Sequence, residues 1–487
     1  MAAIKWPAAP TTYEDDVVLA FTIAAVLWSL IGMAAGVYAA AELVWPALNL
    51  DFAPLTFGRL RTVHTNAVLF GFAVSALMGT SFYTVQRTCH IRIFAPNLAW
   101  TVFFAWQLIV IAGAVSLFMG ANAGKEYAEL EWPIDIAITV VWVIYGVVFF
   151  GTIAIRRIEQ IYISNWFFGA FILVVAMLHI VNSLAIPVSA FKSYSLYAGA
   201  QDAIVQWWYG HNAVGFLLTG GFLGMMYYFL PKQSERPIWS YRLSVLSFWA
   251  FAYSYIWAGP HHLHFSAIPE WVQTLAMVMS LILLAPSWAT MINGIMTVST
   301  ARQKLREDPG LKLIVLSLAF YGLAMFEGPM MAIRSVNIIS HFTEWTIGHV
   351  HSGALGWNAL ITFGCFYFMV PRLVGQPLWS VRLANIHFWL ALAGVMLYVL
   401  SMWGAGITQG VLWLSLDELG QVRYGFNEIL AALQPYYLLR LLGGSAFFVG
   451  AILMSINLFM TISGQRTVTV APPTTSMRSP APAAGTP

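Results

Sequence analysis

Charged residues are scarce in this chain: Asp, Glu, Lys and Arg make up 9% of its 487 residues, while 60% are hydrophobic. Soluble domains average about 25% charged residues, so this composition excludes a water-soluble protein. The net charge of +3 is small and its charges are scattered, which argues against a nucleic-acid-binding protein. The remaining class is a polytopic membrane protein surrounded by the lipid bilayer.

Cysteine is almost absent too. The two cysteines, Cys89 and Cys365, are too few for a disulfide scaffold or a cluster of thiolate metal ligands. Cys89 and His90 are similar to the end of a c-type haem attachment motif, but that motif needs a second cysteine where this chain has Gln86. We therefore expect no c-type haem on this chain.

Long apolar runs fill most of the sequence. Twelve of them are long enough to cross a bilayer as helices, which predicts an all-α, polytopic integral membrane protein with twelve transmembrane helices. The predicted divisions are an N-terminal segment at 1–16, a helical core at 17–464 and a disordered tail rich in Pro, Ala, Thr and Ser at 465–487. The spans are predicted at about 17–44, 62–87, 97–120, 132–155, 165–188, 203–230, 238–259, 271–299, 311–333, 344–371, 379–407 and 435–463, with the longest loop at about 408–434.

Basic residues set the predicted orientation of the spans. They cluster at the exits of the even-numbered spans: Arg156 and Arg157 follow span four, and Lys232 and Arg236 follow span six. The positive-inside rule makes those exits cytoplasmic, so both termini are predicted to be cytoplasmic. The opposite loops carry acidic residues such as Glu126.

Six of the eleven histidines lie in or at the end of apolar stretches. An imidazole inside a bilayer is costly, so each is a functional hypothesis by default. The predicted topology brings all six to similar depths near the outer face, although they come from distant parts of the sequence. The six are His64, His211, His261, His262, His349 and His351. We expect the isolated His179 and His387 to be structural hydrogen-bonding groups instead.

The spacing of these histidines suits two iron centres and one copper. Residues two apart on a helix point in nearly opposite directions, so His349 and His351 can each bind a different centre. His64 can supply the second axial bond to one haem, and the other haem then keeps the open position that oxygen chemistry requires. Three imidazoles suit copper. The remaining three are His211, His261 and His262.

At these residues the chain resembles the catalytic subunit of the haem-copper oxidase superfamily, and within it the C-family, the cbb3-type cytochrome c oxidases. The resemblance covers all twelve predicted spans, and it implies the haem-copper oxidase catalytic-subunit fold. The strings that carry it are RTVHTNAVLFGF from Arg61, GKEYAELEWPID from Gly124, WWYGHNAVGF from Trp207, YIWAGPHHLHF from Tyr255, FEGPMMAIRS from Phe326 and HFTEWTIGHVHSGALGW from His341.

The resemblance implies a cofactor for each histidine. His64 and His351 match the axial ligands of low-spin haem b, and His349 matches the proximal ligand of high-spin haem b3. The other three histidines match the ligands of the copper ion CuB. Tyr255 matches the catalytic tyrosine that is cross-linked to the first copper histidine in this family.

Residues around the centres are implied in the same way. Glu327 matches the carboxylate that accepts a hydrogen bond from the proximal histidine and raises its basicity. Arg61 and His341 match partners of the haem propionates, and Glu126 matches a ligand of a calcium ion that bridges the propionates.

One glycine separates the chain from sister families. Mitochondrial-like oxidases carry their cross-linked tyrosine four residues after the first copper histidine, and nitric oxide reductases place a glutamate there. This chain has Gly215 at that position. The glycine favours the C-family.

Proton supply needs polar groups in the inner half of the membrane. Thr219 and Asn293 are available there, and the resemblance implies Tyr227, Ser244, Tyr255 and Tyr321 as members of a single proton path. An interhelical hydrogen bond explains an individual hydroxyl equally well. The inner half lacks an ionisable carboxylate, so we expect no second, acid-based channel.

The predicted function is a terminal respiratory oxidase of a bacterial inner membrane. It takes electrons from cytochrome c, reduces dioxygen to water and takes up cytoplasmic protons, some of which are pumped outward. The implied partners are membrane-anchored monohaem and dihaem cytochrome c subunits. Two alternatives stay open: a nitric oxide reductase with non-haem iron in place of copper, and a transporter with structural histidines.

Overall fold

Helices make up most of the computed structural model, which describes residues 12–464. Eleven of them are long and apolar enough to cross a membrane, and a twelfth, shorter helix occupies the place of predicted span seven. In chain order, spans one to twelve are Asp15–Val44, Phe57–Thr88, Pro96–Met119, Trp132–Ala154, Ile163–Asn182, Gly199–Ser234, Tyr241–Ala258, Glu270–Val298, Pro309–Met331, Glu344–Val374, Val381–Trp413 and Phe426–Ile462.

These helices confirm the prediction of an all-α, polytopic membrane protein. Span seven, Tyr241–Ala258, has 18 residues and is less apolar than the others because hydroxyl groups follow its buried face. Those buried residues include Ser244, Ser247, Ser254 and Tyr255. The predictions for residues 1–11 and for the tail at 465–487 lie outside the described residues.

The predicted end of span five is wrong. The helix ends at Asn182, and the apolar residues that follow form a two-stranded antiparallel hairpin, β1 (Ala185–Ser189) and β2 (Lys192–Ser195). The Trp132 indole at the start of span four donates a hydrogen bond of 2.8 Å to the Ser189 carbonyl, which links the hairpin to span four. Hydropathy counted these residues as helix because it registers apolar character and not backbone geometry.

The predicted loop at about 408–434 is also too long. Span eleven continues to Trp413 and span twelve begins at Phe426, so the loop covers only 414–425. The Gly425 amide donates a hydrogen bond of 2.7 Å to the Glu428 carboxylate, which caps the new helix start. Pro435, where the span was predicted to begin, lies inside the helix.

Spans two, six and ten form the centre of the bundle, since they are the most buried of the spans. Each of these three helices contains a π-helical segment that starts one to three residues after a predicted ligand histidine. The segments are Ala67–Ala73 after His64, Ala213–Gly221 after His211 and Ser352–Ala359 after His351. A π segment turns the helix locally and often marks a functional site. Each of the three histidines therefore lies shortly before the π segment of its helix.

A repeated hydrogen-bonded clamp joins neighbouring helices outside this centre. The Ser240 amide donates to the Asn293 Oδ1 atom over 2.9 Å, and the Asn293 Nδ2 atom donates back to the Ser240 carbonyl over 3.0 Å. Ser380 and Asn457 make the same pair of bonds, at 3.0 and 2.8 Å. The start of span seven is thus joined to the last turns of span eight, and the start of span eleven to the last turns of span twelve, by the same local structure.

Candidate metal centre

Three of the predicted ligand histidines meet at one point. One ring nitrogen from each of His211, His261 and His262 lies within 4.8 Å of the others. The His211 Nδ1 and His262 Nε2 atoms are 3.4 Å apart. This is the only group of three or more potential metal ligands found within residues 12–464, and it consists of the imidazoles predicted for copper.

The end of span seven brings two of these rings together. The α-helix stops at Ala258, and Pro260 lies in a 3-10 turn, Gly259–Leu263, that carries both histidines. The His261 Nδ1 atom is 2.7 Å from the Ser280 hydroxyl, which itself donates to the Ala276 carbonyl. Because that hydroxyl proton is already used, the serine oxygen accepts from Nδ1 and leaves the His261 Nε2 lone pair for a metal.

Tyr255 lies directly beside the first histidine of this group. Its ring stacks on the His211 ring with centroids 4.8 Å apart, and the buried His211 Nε2 atom has no hydrogen-bond partner within the described residues. Gly215 creates the space for the tyrosine, because a Cβ atom at that position would overlap the Tyr255 ring. A glutamate at position 215 would therefore displace Tyr255.

His349 is held by a carboxylate on a neighbouring helix. Its Nδ1 atom lies 3.2 Å from Glu327 on span nine, and the Trp345 indole donates to the other oxygen of the same carboxylate over 2.8 Å. A carboxylate only accepts hydrogen bonds when ionised, so it selects the tautomer that carries its proton on Nδ1. The His349 Nε2 atom then has a free lone pair for a metal.

His64 and His351, like His349, each have their Nδ1 atom bonded to an acceptor. The His64 Nδ1 atom donates to the Gly32 carbonyl over 2.7 Å, and the His351 Nδ1 atom donates to the Ile347 carbonyl over 2.9 Å. Carbonyl oxygens are acceptors only, so both rings present an Nε2 lone pair. The Tyr398 hydroxyl lies 3.3 Å from that nitrogen of His351, and a bound haem iron would take the place of this contact.

These donor sets fit the implied cofactors. Neutral imidazoles with a fixed Nδ1 proton are the usual ligands of haem iron, and three converging imidazoles suit copper. Gly36 makes room for the His64 ring, since a Cβ atom there would lie 2.5 Å from its Cε1 atom. The Nδ1 atom of His349 bonds to Glu327 on span nine, and the Nδ1 atom of His351 bonds to the Ile347 carbonyl of its own helix. In each ring, Nε2 is the nitrogen that could bind a metal.

Of the predicted propionate and calcium residues, Arg61 lies near the start of span two, while His341 and Glu126 lie between helices. Arg61 forms an ion pair of 2.8 Å with Glu126 and a longer one of 3.7 Å with Glu129. Burial raises the pKa of the Glu129 carboxyl, and Arg61 partly offsets this effect. His341 lies between two short helical segments, close enough to His262 to interact with it electrostatically. Arg61 and Glu126 are therefore neighbours, and their predicted roles stay predictions.

Part of the predicted proton path is connected by hydrogen bonds. The Asn293 Nδ2 atom donates to the Ser244 hydroxyl over 3.0 Å, and both side chains are fully buried. The Tyr227 hydroxyl lies beside these two groups. It has no hydrogen-bond partner of its own within residues 12–464. These three residues form the inner end of the group.

The other predicted path residues lie nearer the metal ligands. Thr219 interacts with the Tyr255 phenol, and Tyr321 is close enough to both Tyr227 and Tyr255 to interact with each electrostatically. The Tyr321 hydroxyl is buried and, in the part of the chain that the structure describes, makes no hydrogen bond. The predicted path residues thus lie in one region beside the three-histidine group.

Several residues of the site were missed by the sequence analysis. Trp207 stacks on His262 with ring centroids 4.2 Å apart. Ser280, Tyr398 and Gly36 each lie against a predicted ligand ring, and Trp345 donates to the Glu327 carboxylate beside His349. Trp207 and Trp345 stood in strings that carried the family resemblance. The other three had no local signal, because each lies against a histidine of another helix or turn.

Comparison with known proteins agrees with this geometry. A sequence model of the family described as "Cytochrome C and Quinol oxidase polypeptide I" matches residues 16–446. The chain is 58% identical over 460 residues to the cbb3-type cytochrome c oxidase subunit CcoN1 of Stutzerimonas stutzeri, covering 94% of this chain and 97% of that protein. It is 53% identical over 459 residues to cytochrome c oxidase subunit 1 of Rhodobacter capsulatus, covering 93% and 86%.

A solved structure shares the fold. A cryo-EM structure of a haem-copper terminal oxidase dimer superposes with a TM-score of 0.77 at 16% identity, covering 93% of this chain and 84% of that one. Membership of this family implies haem and copper cofactors, association with other oxidase subunits and cytochrome c oxidase activity. The chain belongs to the cytochrome c and quinol oxidase polypeptide I family, among the cbb3-type cytochrome c oxidase subunits of the haem-copper terminal oxidases.

Proposed function

We propose that this chain reduces dioxygen to water at a binuclear site held by His349 on one side and by His211, His261 and His262 on the other. His349 would hold haem b3 and the three-histidine group would hold CuB. Low-spin haem b would lie between His64 and His351 and pass electrons from cytochrome c. The convergence of three imidazole nitrogens within 4.8 Å, beside a stacked tyrosine, carries this proposal.

When bound, iron and copper supply electrons and the open coordination position for oxygen. The chain's own residues set the ligand chemistry. Glu327 and the carbonyls of Gly32 and Ile347 hold protons on the Nδ1 atoms, so the opposite nitrogens stay unprotonated. The Glu327 carboxylate also raises the basicity of His349.

Tyr255 is the catalytic residue in this proposal. Its phenol lies against His211 and can give up one proton and one electron when the O–O bond breaks. The ring is almost fully buried, which keeps bulk water from the reacting atoms. The stacking supports the family's cross-link between this tyrosine and the first copper histidine.

Protons for the reaction would come from the cytoplasm through a single path. Tyr227, Ser244 and Asn293 would form its inner part, and Tyr321 and Thr219 would lead to Tyr255. Their burial and proximity support this route, and some protons would be pumped outward.

The outer loops would complete the haem sites. Arg61 and His341 would contact haem propionates, and Glu126 would bind a bridging calcium ion. The ion pair between Arg61 and Glu126 supports this assignment because it places a cation near the start of span two beside a carboxylate of the loop between spans three and four.

The remaining proposals concern the setting of the chain. The core at 17–464 would lie in a bacterial inner membrane with both termini in the cytoplasm. Membrane-anchored monohaem and dihaem cytochrome c subunits would assemble with it, and a soluble or membrane cytochrome c would donate electrons.

A haem and metal count on the purified complex tests the proposed centres. We expect two b-type haems and one copper for each copy of this chain. Non-haem iron without copper would instead identify a nitric oxide reductase, although Gly215 leaves no room for the glutamate of that family. An absence of b-haem bands in a reduced-minus-oxidised spectrum would end the proposal.

A further inference from the structure

Span seven carries a row of large side chains on its outward face. Leu246, Trp249, Tyr253 and Trp257 are 67, 62, 63 and 49% exposed. Their spacing of three and four residues places them on one stripe of the helix. The opposite face carries the buried hydroxyls of the proposed proton path, so span seven is polar inside and aromatic outside.

The depth of this stripe separates it from an interfacial aromatic belt. Span seven, Tyr241–Ala258, has 18 residues, which is about 27 Å along a helix and close to the thickness of the hydrocarbon core. Tyr253 lies twelve residues after the start of this span, about 18 Å along it, and Trp249 about 12 Å along it. Both side chains therefore lie toward the middle of a bilayer that span seven crosses, whereas Trp and Tyr normally gather at the two interfaces.

The stripe also exposes hydrogen-bond donors that have no acceptor within the described part of the chain. The indole N–H groups of Trp249 and Trp257 and the Tyr253 hydroxyl make no hydrogen bond within residues 12–464. Hydrocarbon offers them no acceptor. By contrast, the outward face of span three carries no hydrogen-bond donor at comparable positions, where it exposes Phe104, Leu108, Ile111 and Val115.

Neighbouring helices flank the stripe and leave a shallow surface. Trp166 on span five contacts the Trp249 ring with centroids 6.4 Å apart. Span eight, on the other side, is the least buried of the eleven apolar spans. The spacing of three and four residues matches the side-chain pattern that packs against another helix.

We propose that this stripe binds a single transmembrane helix of a membrane-anchored cytochrome c subunit, which presents hydrogen-bond acceptors to the two indoles and the phenol. This inference rests on the proposed function, since that function requires such subunits. A second copy of this chain fits the surface poorly, because it would bring the same indole donors to the same depth. A lipid headgroup cannot reach the middle of the bilayer.

Photo-crosslinking in the intact complex tests the proposed contact. p-Benzoylphenylalanine replaces Tyr253, and in a matched control it replaces Leu108, which is 67% exposed on span three. We expect the Tyr253 probe to form an adduct with a subunit that stains for covalently bound haem, mapped to its transmembrane helix, and the Leu108 probe to give at least fivefold less. Adducts with lipid alone, or with a second copy of this chain, overturn the proposal.

Substitution of the stripe provides the second measurement. The triple variant Trp249→Leu, Tyr253→Leu and Trp257→Leu keeps an apolar surface but removes every hydrogen-bond donor of the stripe. We expect it to lose at least half of the c-type haem that co-purifies, while the b-haem and copper contents per chain stay unchanged. Phe104→Leu on span three is the control. Full retention of c-type haem in the triple variant contradicts the proposed contact. If the unsubstituted protein itself lacks b-haem or copper, that result contradicts the proposed function instead.

Discussion

The ring nitrogen that faces away from a metal decides what a buried histidine can do. His64, His261, His349 and His351 each have Nδ1 bound to an acceptor, which leaves Nε2 unprotonated. His179, which the sequence indicated as structural, instead bonds through Nε2 to the Asp135 carbonyl over 3.0 Å. His179 therefore differs from these four histidines in the ring nitrogen that its hydrogen bond uses.

Loss of the Tyr255 hydroxyl should abolish turnover without changing the fold. Tyr255→Phe keeps the ring that stacks on His211 and removes only the group proposed to donate a proton and an electron. A positioned proton donor contributes about 100-fold or more to a rate, so we expect at least that loss of oxygen consumption with both b-haem spectra retained. Near-normal oxygen consumption would refute the role given to Tyr255.

Gly36 allows a sharper test of the low-spin site. In Gly36→Ala the new methyl group would lie 2.5 Å from the His64 ring, and forced overpacking costs about 1–3 kcal/mol. We expect the low-spin haem bands to weaken or disappear while the copper content stays at one per chain. Gly146→Ala on span four is the control, because its methyl group would meet Ile172 at an ordinary 3.4 Å. Loss of copper with intact low-spin bands would mean that His64 serves the other centre.

Gly215 allows the reciprocal test of the copper site. The methyl group of Gly215→Ala would overlap the Tyr255 ring and push it from His211. We expect oxygen consumption to fall by about tenfold or more, as one misplaced catalytic group can cost, while the low-spin haem bands remain. Unchanged turnover, measured beside Gly146→Ala, would show that Tyr255 does not need its position.

At the scale of elements, the three central helices share a change of helix type that no local sequence pattern predicted. Each passes from α- to π-helix within three residues after a proposed ligand, namely His64, His211 and His351. The wider turn shifts the side chains that follow relative to those that precede it. The prediction of helices was correct here, but hydropathy and length cannot distinguish the two helix types.

The repeated clamp separates stability from proton transfer. Asn293→Leu and Asn457→Leu each remove two hydrogen bonds to a serine backbone. Buried groups that are left unpaired cost about 1–3 kcal/mol, so we expect both variants to unfold at lower temperature by similar amounts. Only Asn293 also bonds to Ser244 of the proposed path.

We therefore expect oxygen consumption to fall in Asn293→Leu and to stay near normal in Asn457→Leu, both measured below their unfolding temperatures. Equal turnover in the two variants would remove Asn293 from the path. Equal turnover combined with unequal melting temperatures would also show that the two clamps are not equivalent.

At the scale of the whole molecule, the order of the spans sets which side each loop faces. Basic residues at the even-numbered exits predict an inner location, and the metal ligands then lie toward the outer side. The two native cysteines, Cys89 and Cys365, are buried, so an added cysteine can report topology without a large background.

Cysteine labelling tests this orientation. Leu419 in the loop between spans eleven and twelve is 83% exposed, and Gln303 in the short helix Arg302–Glu307 after span eight is also exposed. We expect Leu419→Cys to react with a membrane-impermeant maleimide in intact spheroplasts, and Gln303→Cys to react only after the membrane is opened. The reverse pattern would invert the topology and place both termini outside.

The sequence by itself determined the membrane class and the approximate bounds of most helices, because apolar runs are local properties, and it predicted the three histidines that converge in the structure. Only the tertiary structure decided which nitrogen of each ring is free, that Gly36 and Gly215 make room for His64 and Tyr255, and that the residues after Asn182 form a hairpin. Each of these depends on contacts between segments far apart in the chain. Such contacts leave no periodic trace in the sequence, so only the folded arrangement reveals them.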